Sequence, residues 1–429
     1  MRLAFIDGRP IALQPSAGED RPLPAIQAAI LTLTRLLAGR SHNVHVFSWN
    51  SAPDEVAGVR FHDRSELARF AHSGAVDALV VIPEVLPLLM PIESRGRIVW
   101  TGNAYSRGDS AISPQWTWAP EKGRRGRVAR LYNLGLFDSH VDRIVVGSHW
   151  QAEYVHRSTG IPRSKLEVIS IGVPLEHYMG PPPSRNTHRI VYTSQPRRGL
   201  RVLLRLFPQI RALVPDAELH VFGYEWAGDA EGVDVSTMSQ PGVYMRGGLS
   251  KSQLALELRS AAVMAYPCTF KETFCVAVAE AQAAGLPVVT TRSGALPERV
   301  RDGVDGFVVP GDPKREDFGS QFVEAVVRVL KDDALRERMG AAGAEKARRS
   351  YDWSVIAGQW ERVLESNTSG DANVPLLEPN LNLLDPSLLH IRKRVQVPAE
   401  QAARWLREEW ASYGFDADRT PGLAAEAAR

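Results

Sequence analysis

The stretch Lys271-Glu272-Thr273-Phe274-Cys275-Val276-Ala277-Val278-Ala279-Glu280 determines the interpretation of this chain. It changes from a polar loop to a small, apolar helix and carries glutamates at both ends of the transition. The residues that follow, Ala281-Gln282-Ala283-Ala284-Gly285-Leu286-Pro287-Val288-Val289-Thr290-Thr291, indicate a helix end, a turn and a buried strand. The sequence therefore predicts a helix over 274–284 that begins near Phe274, shortly after a strand at 263–266.

A helix that begins after a strand presents free N–H groups, and these form a site for anions. Glu272 precedes the predicted helix, and Glu280 lies roughly two turns inside it. A carboxylate within a helix of small apolar residues is costly unless it meets a polar partner. Two acceptor groups beside an anion site suit a ligand that carries hydroxyls next to a phosphate, as a sugar nucleotide does.

Composition limits the classes of protein to which the chain can belong. Its 429 residues, 44% of them hydrophobic, suggest two or three domains with sizeable cores. A formal net charge of +2 argues against a general nucleic-acid-binding protein. The cysteines Cys268 and Cys275 have a spacing unlike any common zinc site, so a reduced, cytoplasmic setting is expected. The most apolar window, 76–92, contains acids and prolines and is not expected to span a membrane.

Strand and helix patterns alternate in two sets, separated by a Pro- and Gly-rich linker at 180–186. The first set has predicted strands at 3–6, 43–47, 78–82, 97–100, 143–146 and 168–171, with helices at 25–37 and 149–157. The second set has predicted strands at 189–193, 218–222, 243–246, 263–266, 288–290 and 306–308, with helices at 200–213 and over 318–349. A helix is predicted at 353–365 and another at 399–413. This alternation predicts an α/β fold of two parallel sheets wrapped by helices.

The second set also carries an ordered series of motifs. Glu-x7-Glu and its Ala-rich helix are followed by Gly-x-Pro-Val-Val at 285–289, Gly294, Glu298 and Asp302-Gly303-x-x-Gly306-Phe307. This series resembles the donor site of the retaining GT-B glycosyltransferases of family four, the glycosyl transferases group 1. The similarity is strong over about 192–309, and weaker but continuous over 2–178.

The resemblance implies a GT-B fold, in which two Rossmann-like domains face each other across a cleft. It assigns an acceptor domain to residues 1–178, a nucleotide-sugar donor domain to 188–350 and a crossover helix to 351–366. The family pattern does not cover the C-terminal helical extension, 367–429. This extension is expected to pack on the body of the protein or on a second subunit.

By the same resemblance, cations after the first strand of the donor domain hold the diphosphate. With Gly199 as the anchor, Arg198 stands at the family's lysine position and Thr193 at its arginine position, so one of two cations is kept. Arg197 is the candidate for the second charge. The alternative is two surface arginines at a helix start.

The remaining donor contacts are also implied by the resemblance. Glu280 would bind the ribose hydroxyls, and Glu272 would face the donor sugar. The loop residues Thr273, Phe274, Cys275 and Val276 would hold sugar hydroxyls and phosphate, largely through backbone amides. The backbone around Gly248 and Leu249 would contact the base, although ordinary turn glycines are an equal alternative. Cys275 stands where the family usually has Gly, and Cys268 where Ser is common; both are better interpreted as small buried residues than as reactive thiols.

The acceptor side departs further from the family pattern. Gly18 remains of a glycine pair in the loop 15–19, and Asn103 remains of a His-Asp or His-Asn pair, with Gly102 at the His position. His140 and His149 are alternatives to the missing His, though each is better explained as structural. The basic run 122–130 suits an anionic acceptor or a membrane surface, or is simply a solvated loop.

The resemblance therefore implies transfer of a sugar from a nucleotide diphosphate to an acceptor hydroxyl with retention, with Glu272 and Arg198 as catalytic residues and without a metal or other cofactor. Two alternatives stay open. One is a donor-binding, non-catalytic partner subunit, favoured by the departures at Thr193 and Gly102, and the other is a nucleotide-sugar hydrolase or epimerase. The expected partners are a nucleotide sugar and a glycan, lipid-linked or small-molecule acceptor, with no nucleic acid. The base, the sugar, the acceptor, a homo-oligomer and a peripheral contact with the inner face of a membrane are left open.

Overall fold

Two parallel sheets dominate the computed structural model of the chain. The structure describes residues 1–9, 13, 15, 23–49, 53–83, 88, 90–102, 141–159, 161–181, 183–223, 239–373, 411 and 413–415. The chain divides into two compact units. Unit 1 comprises Met1–Ser16, Ile30–Ile169 and Ala357–Arg429, and unit 2 comprises Ala17–Ala29 and Ser170–Ile356.

Unit 1 is built on an eight-stranded sheet. Its strands are β1 (Arg2–Asp7), β2 (Asn43–Ser48), β3 (Asp54–Val56), β4 (Val59–Asp63), β5 (Val76–Ile82), β6 (Ser94–Thr101), β7 (Arg143–Val146) and β8 (Leu166–Val168). They lie in the order β3-β4-β2-β1-β5-β6-β7-β8. Its helices are α1 (Ala25–Gly39), which begins in unit 2, α2 (Leu67–Ala71) and α3 (His149–Thr159). The central strands read as continuous apolar runs because residues on both of their faces are buried, as in Leu3–Ile6.

Unit 2 is built on a six-stranded parallel sheet. Its strands are β9 (Arg189–Tyr192), β10 (Glu218–Phe222), β11 (Val243–Gly247), β12 (Val263–Tyr266), β13 (Val288–Thr291) and β14 (Gly306–Val309). They lie in the order β11-β10-β9-β12-β13-β14. The helices that follow are α4 (Leu200–Leu213), α5 (Lys251–Arg259), α6 (Val276–Ala283), α7 (Leu296–Arg299), α8 (Glu316–Lys331) and α9 (Asp333–Ser350). Helix α10 (Trp353–Ser366) contributes its first residues to unit 2 and the rest to unit 1.

The α/β class and the largely parallel sheets are confirmed, but two local predictions are wrong and one hairpin was missed. The predicted strand at 168–171 is β8, which ends at Val168. The helical region predicted over 318–349 is confirmed and consists of two helices, α8 and α9. The break lies at Asp332, which leaves helical geometry (φ −113°, ψ 95°) and caps α9 by accepting from the Leu335 amide. The helix predicted from Phe274 begins at Val276. The hairpin of β3 and β4 was not predicted, because its strands are short and polar and its turn, Ala57-Gly58, has positive φ at both positions.

The described residues of the C-terminal extension contact the rest of unit 1 at Asn373 and at Tyr413 and Phe415, among other places. Asn373 pairs with Ser94 at the start of β6, and its carbonyl and side-chain oxygens both accept from the Arg97 guanidinium at 2.6 Å. Tyr413 and Phe415 are buried in the core of unit 1, and the Tyr413 carbonyl accepts from the Ala68 amide. The predicted helix at 399–413 lies almost entirely outside the described residues, as does the basic run 122–130.

None of the helices in the described parts of the chain combines the length and the apolar content needed to cross a bilayer.

We expect Tyr413→Ala to destabilise unit 1 by about 3 kcal/mol, because the ring is only 1% exposed and its removal leaves a cavity in the core. Chemical denaturation measures the change. Leu213→Ala is the control, since that side chain is 51% exposed. Equal losses in the two variants would contradict the docking of the extension.

A histidine pair makes the stability of unit 1 dependent on pH. His45 Nδ1 and His62 Nε2 are 2.9 Å apart on the adjacent strands β2 and β4, and His62 faces Glu66 at 3.6 Å. Burial, followed by the charges of His62, Arg60 and Arg2, lowers the pKa of His45 to about 4. The unfolded chain therefore binds a proton at this position between about pH 6.5 and pH 4, while the folded chain does not.

The free energy of unfolding should fall as the pH is lowered from about 6.5 to about 4. At pH 5 we expect a loss on the order of 1–2 kcal/mol relative to pH 7.5 from this histidine. Denaturation of the unmodified protein and of His45→Leu at both pH values separates this contribution from the rest of the chain. The prediction fails if the variant loses as much stability on acidification as the unmodified protein.

Candidate functional site

The candidate site lies at the carboxyl edge of the unit 2 sheet, where the strand order reverses. The chain runs outward from β9 through β10 to β11 and then returns to place β12 on the other side of β9. In parallel α/β sheets a ligand crevice forms outside the carboxyl ends of the strands at such a point. Three of the loops that leave this edge form the site, namely the β9 loop (193–199), the β12 loop (267–275) and the β13 loop (292–295).

An ion pair joins the first two loops. Arg198 Nη1 donates to both carboxylate oxygens of Glu272, at 2.9 Å to Oε1 and 3.1 Å to Oε2. The Tyr266 hydroxyl, at the end of β12, donates to Glu272 Oε1 at 2.6 Å. Glu272 is only 3% exposed, and the Arg198 guanidinium also lies over the Phe270 ring at 4.7 Å. The sequence-predicted catalytic residues are thus in direct contact.

The surroundings keep Arg198 charged and Tyr266 neutral. Burial by itself would lower the pKa of Arg198, but the adjacent Glu272 carboxylate raises it above the usual value. Burial, followed by the charge of Glu272, raises the pKa of Tyr266 well above its usual value, so its hydroxyl stays protonated and can donate.

Arg198 has donors to spare. Among the residues that the structure describes, Nη2 has no hydrogen-bond partner, and Nε is buried without one. A guanidinium donates through a planar fork that matches the oxygens of a phosphate. The cation can therefore hold Glu272 and an anion together.

Close backbone packing fixes the β9 and β12 loops against each other. The Thr269 amide donates to the Arg198 carbonyl at 2.9 Å. A Cβ on Gly199 would lie 2.4 Å from the Pro267 carbonyl oxygen, and Gly199 has a φ of 145°. Only glycine fits both constraints without a shift of the backbone.

The β13 loop positions the backbone of Glu272. Its Ala295 amide donates to the Glu272 carbonyl at 2.7 Å. Gly294 has a φ of 56°, and a Cβ there would lie 2.3 Å from the same carbonyl oxygen. Gly294, one of the motif residues of the sequence, therefore allows the loop to approach the acid.

The start of α6 provides unpaired amides. Cys275 is the N-cap and has left-handed geometry (φ 74°, ψ 80°), which breaks the helix that the sequence predicted from Phe274. Left-handed geometry favours glycine, so a cysteine is strained at this position. The amides of Phe274, Cys275 and Val276 have no acceptor among the described residues. The Phe274 side chain is buried against Tyr351 and under the Arg299 guanidinium, so this residue offers a ligand its backbone. Thr273, between Glu272 and these amides, is half-buried.

The two thiols face the core. Burial, followed by the charge of Glu272, raises the pKa of Cys268 to about 12 and raises that of Cys275 well above its usual value. Thiols this far from ionisation are weak nucleophiles at neutral pH. Their environment agrees with small buried residues.

Glu280 has its own cation. It is 3% exposed on α6, and its Oε1 accepts a hydrogen bond from Lys251 Nζ. Lys251 is the first residue of α5, which Ser250 begins with a capping box that includes Gln253. The two acids of the Glu-x7-Glu motif are therefore held separately, one by an arginine and one by a lysine.

The other predicted residues have less definite positions. Arg197 is exposed and donates to the Gln195 side chain rather than to Glu272. Gly248 is exposed and Leu249 is half-buried just after β11, one turn before α5. Gly18 and Asn103, the predicted acceptor-side residues, lie outside the described residues.

Sequence reasoning missed Tyr266 and Lys251. Tyr266 is the last residue of an apolar strand, and a core aromatic is the usual interpretation of such a position. Lys251 follows a helix cap, where a surface lysine is common. The sequence did indicate that such donors exist, because a carboxylate among apolar residues requires a hydrogen-bond donor if it is buried.

Gly294→Ala should destabilise unit 2 by about 2 kcal/mol more than Gly303→Ala. Both positions have positive φ, but a Cβ at Gly303 meets nothing within 4 Å, whereas one at Gly294 meets the Glu272 backbone. Gly303→Ala therefore measures the cost of φ alone. Denaturation midpoints of the two variants test this, and equal losses would contradict the close approach of the β13 loop to Glu272.

The amino-acid sequence of unit 2 is similar to that of known proteins. Residues 187–332 match the family Glycosyl transferases group 1. The chain is 36% identical over 182 residues to a phosphatidyl-myo-inositol mannosyltransferase of Mycobacterium tuberculosis, covering 42% of this chain and 47% of that protein. It is 28% identical over 254 residues to a D-inositol 3-phosphate glycosyltransferase of Corynebacterium glutamicum, covering 55% and 56%. The chain thus spans about half the length of the curated relatives it matches.

Solved structures resemble nearly the whole chain. Sucrose-phosphate synthase of Thermosynechococcus elongatus superposes with a TM-score of 0.66 at 16% identity, covering 85% of this chain and 99% of that one. Anabaena HepE in complex with UDP gives a TM-score of 0.62 at 15% identity, covering 85% and 100%. At these identities the likeness shows the fold alone. The chain therefore has an α/β GT-B fold with two Rossmann-like domains, and its residues 187–332 are similar to the glycosyl transferases group 1.

Proposed function

We propose that this chain is a glycosyltransferase that moves a sugar from a nucleotide-diphosphate donor to an acceptor hydroxyl with retention of the anomeric configuration. The observation that carries the proposal is the ion pair between the half-buried Arg198 and the buried Glu272, together with the unpaired donors of Arg198 and of the start of α6. A cation with an open nitrogen, an adjacent acid and a run of unpaired amides suit the diphosphate and hydroxyls of a nucleotide sugar.

The diphosphate would be bound by Arg198 and by the start of α6. Arg198 Nη2 has no partner among the described residues, and the amides 274–276 follow Glu272 along the chain after one intervening residue, Thr273. Free amides at a helix start stabilise an anion, by about 0.3–1 kcal/mol when exposed and more when partly buried. These donors act on the charge that grows on the leaving group, and this is the kind of interaction that lowers a barrier.

The two acids would bind the hydroxyls of the donor, Glu272 those of the sugar and Glu280 those of the ribose. Glu272 accepts hydrogen bonds in a dry setting and would orient the sugar hydroxyls and stabilise positive charge at the ring. Glu280 would accept from the ribose hydroxyls. The Lys251 ammonium now on Glu280 is a quarter exposed and sits on a flexible stem, so ribose hydroxyls could take its place or share the carboxylate.

The transfer step is a front-face substitution. The bond between the anomeric carbon and the phosphate oxygen breaks, and a bond to the acceptor oxygen forms on the same face. The acceptor's proton passes to the leaving phosphate oxygen. No residue acts as a nucleophile, and Arg198 with the α6 amides takes the role that a metal has in other transferases. The proposed reaction is therefore independent of a metal or other cofactor.

The relatives suggest which donors and acceptors to test first. One is a mannosyltransferase and one acts on D-inositol 3-phosphate, so mannose nucleotides and inositol polyols are the first candidates for this chain. A lipid-linked acceptor, another glycan and a small molecule all fit the proposed chemistry.

We expect Arg198→Lys to weaken binding of the preferred nucleoside diphosphate by about 10- to 100-fold, because a lysine keeps the charge beside Glu272 but loses the guanidinium fork. Calorimetry with UDP, GDP and ADP gives the affinities. The control is Arg205→Ala, an exposed arginine on α4 whose contacts are to the backbone near residues 313 and 314. Unchanged affinity in Arg198→Lys would refute the site assignment.

NMR of GDP-mannose and UDP-glucose with the protein, with and without acceptors and with EDTA, tests the reaction. Slow release of sugar to water and faster transfer to an acceptor, with the anomeric coupling retained and unaffected by EDTA, are the expected results. Binding without either reaction would instead favour a non-catalytic donor-binding subunit. An inverted product or loss of turnover on chelation would overturn the corresponding part of the proposal.

A further inference from the structure

A hydrogen-bonded chain behind Glu272 reaches the neighbouring strand. Tyr266 OH donates to Glu272 Oε1 at 2.6 Å, and Ser194 Oγ lies 3.2 Å from the same hydroxyl. A tyrosine has one hydroxyl proton, and Glu272 takes it, so Ser194 is the donor in the second contact. The order of donation is Ser194 to Tyr266 to Glu272.

The Tyr266 ring is held independently of any ligand. It is fully buried, and it packs edge-on against Tyr192 with ring centroids 5.7 Å apart. Its backbone pairs with Thr290 of β13, and the Thr290 hydroxyl donates to its carbonyl at 2.8 Å. The hydroxyl therefore comes from a rigid strand, whereas Arg198 comes from a loop.

Glu272 consequently has one fixed donor and one that a ligand can compete for. A diphosphate would bind the open nitrogens of Arg198 and compete with Glu272 for the guanidinium, since charge-assisted bonds to phosphate are strong. A buried carboxylate that shares its cation with a phosphate depends more on its other donor to stay in one position. The Tyr266 hydroxyl stays in place while Arg198 is shared.

We propose that Tyr266 is a positioning residue that holds Glu272 in its sugar-facing geometry while Arg198 engages the donor diphosphate. This inference rests on the proposed function and names a residue through which the sugar, rather than the nucleotide, is recognised. Tyr266 itself touches no reacting atom; its effect passes through Glu272.

The test compares Tyr266→Phe, which keeps the ring and removes the hydroxyl, with Tyr192→Phe. The control removes a hydroxyl from the other ring of the same buried pair, where it donates to the Gln195 carbonyl at 2.7 Å and does not touch Glu272. Affinities are measured for GDP and GDP-mannose, and for UDP and UDP-glucose. The rate of sugar release to water is measured with the donor that binds.

In Tyr266→Phe, affinity for the nucleoside diphosphate should stay within about twofold of the unmodified protein. The additional affinity that the attached sugar provides should fall, and the rate of sugar release should fall about tenfold. Tyr192→Phe should match the unmodified protein in all three measurements.

A double-mutant cycle with Glu272→Gln separates positioning from a merely structural role. If Tyr266 acts through Glu272, removing the tyrosine hydroxyl should have little further effect on rate in the Glu272→Gln background. Additive losses, a loss of diphosphate affinity in Tyr266→Phe, or a wild-type rate in that variant would each overturn the inference while leaving the proposed function intact. If the unmodified protein bound none of the nucleotides, the proposed function would fail instead, and this inference with it.

Discussion

The candidate site depends on a carboxylate that is almost completely removed from water. An ionised carboxylate in a protein interior is strongly destabilising unless hydrogen bonds and an opposite charge compensate it. Glu272 obtains both from neighbouring strand ends, a guanidinium from the β9 loop and a hydroxyl from β12. These strands are adjacent because the sheet reverses its order there, so the topology of unit 2 and the chemistry of the acid have a common origin.

The glycines are consequences of the same requirement. To bring Arg198 against Glu272, the β9 loop must approach Pro267 so closely that a Cβ at Gly199 could not fit. To hold the Glu272 backbone, the β13 loop must approach it equally closely at Gly294. Cys275 has similar left-handed geometry without being glycine, and such a residue costs on the order of 1 kcal/mol or more. The left-handed conformation of Cys275 ends the β12 loop and starts α6, and the amides of 274–276 have no acceptor among the described residues.

Much of the fold and of the candidate site could be predicted from the sequence, because the features involved depend on residues close together in the chain. The order of strands and helices follows from apolar runs and turn residues, whereas Arg198 and Glu272 were assigned to one donor site by the resemblance of the ordered motif series to a glycosyltransferase family. The start of α6 was placed two residues early because apolar residues at 274 and 275 favour a helix that the φ of Cys275 forbids. The docking of Tyr413 in unit 1 was beyond sequence reasoning, since the partner of a lone aromatic near the end of a chain is set by tertiary contacts.

The two acids of the motif have counterions suited to different tasks. Arg198 is planar, is always charged and has spare donors, so it can hold Glu272 and a phosphate at once. Lys251 is a compact, strongly hydrated charge on a flexible stem, and it contacts Glu280 from the first turn of α5. A partner of that kind can leave a carboxylate at modest cost when hydroxyls replace it, since its ammonium can return to water. The two acids, eight positions apart, therefore differ in their counterions. Glu272 keeps its arginine when a ligand binds, whereas Glu280 can exchange its lysine for the hydroxyls of a ligand.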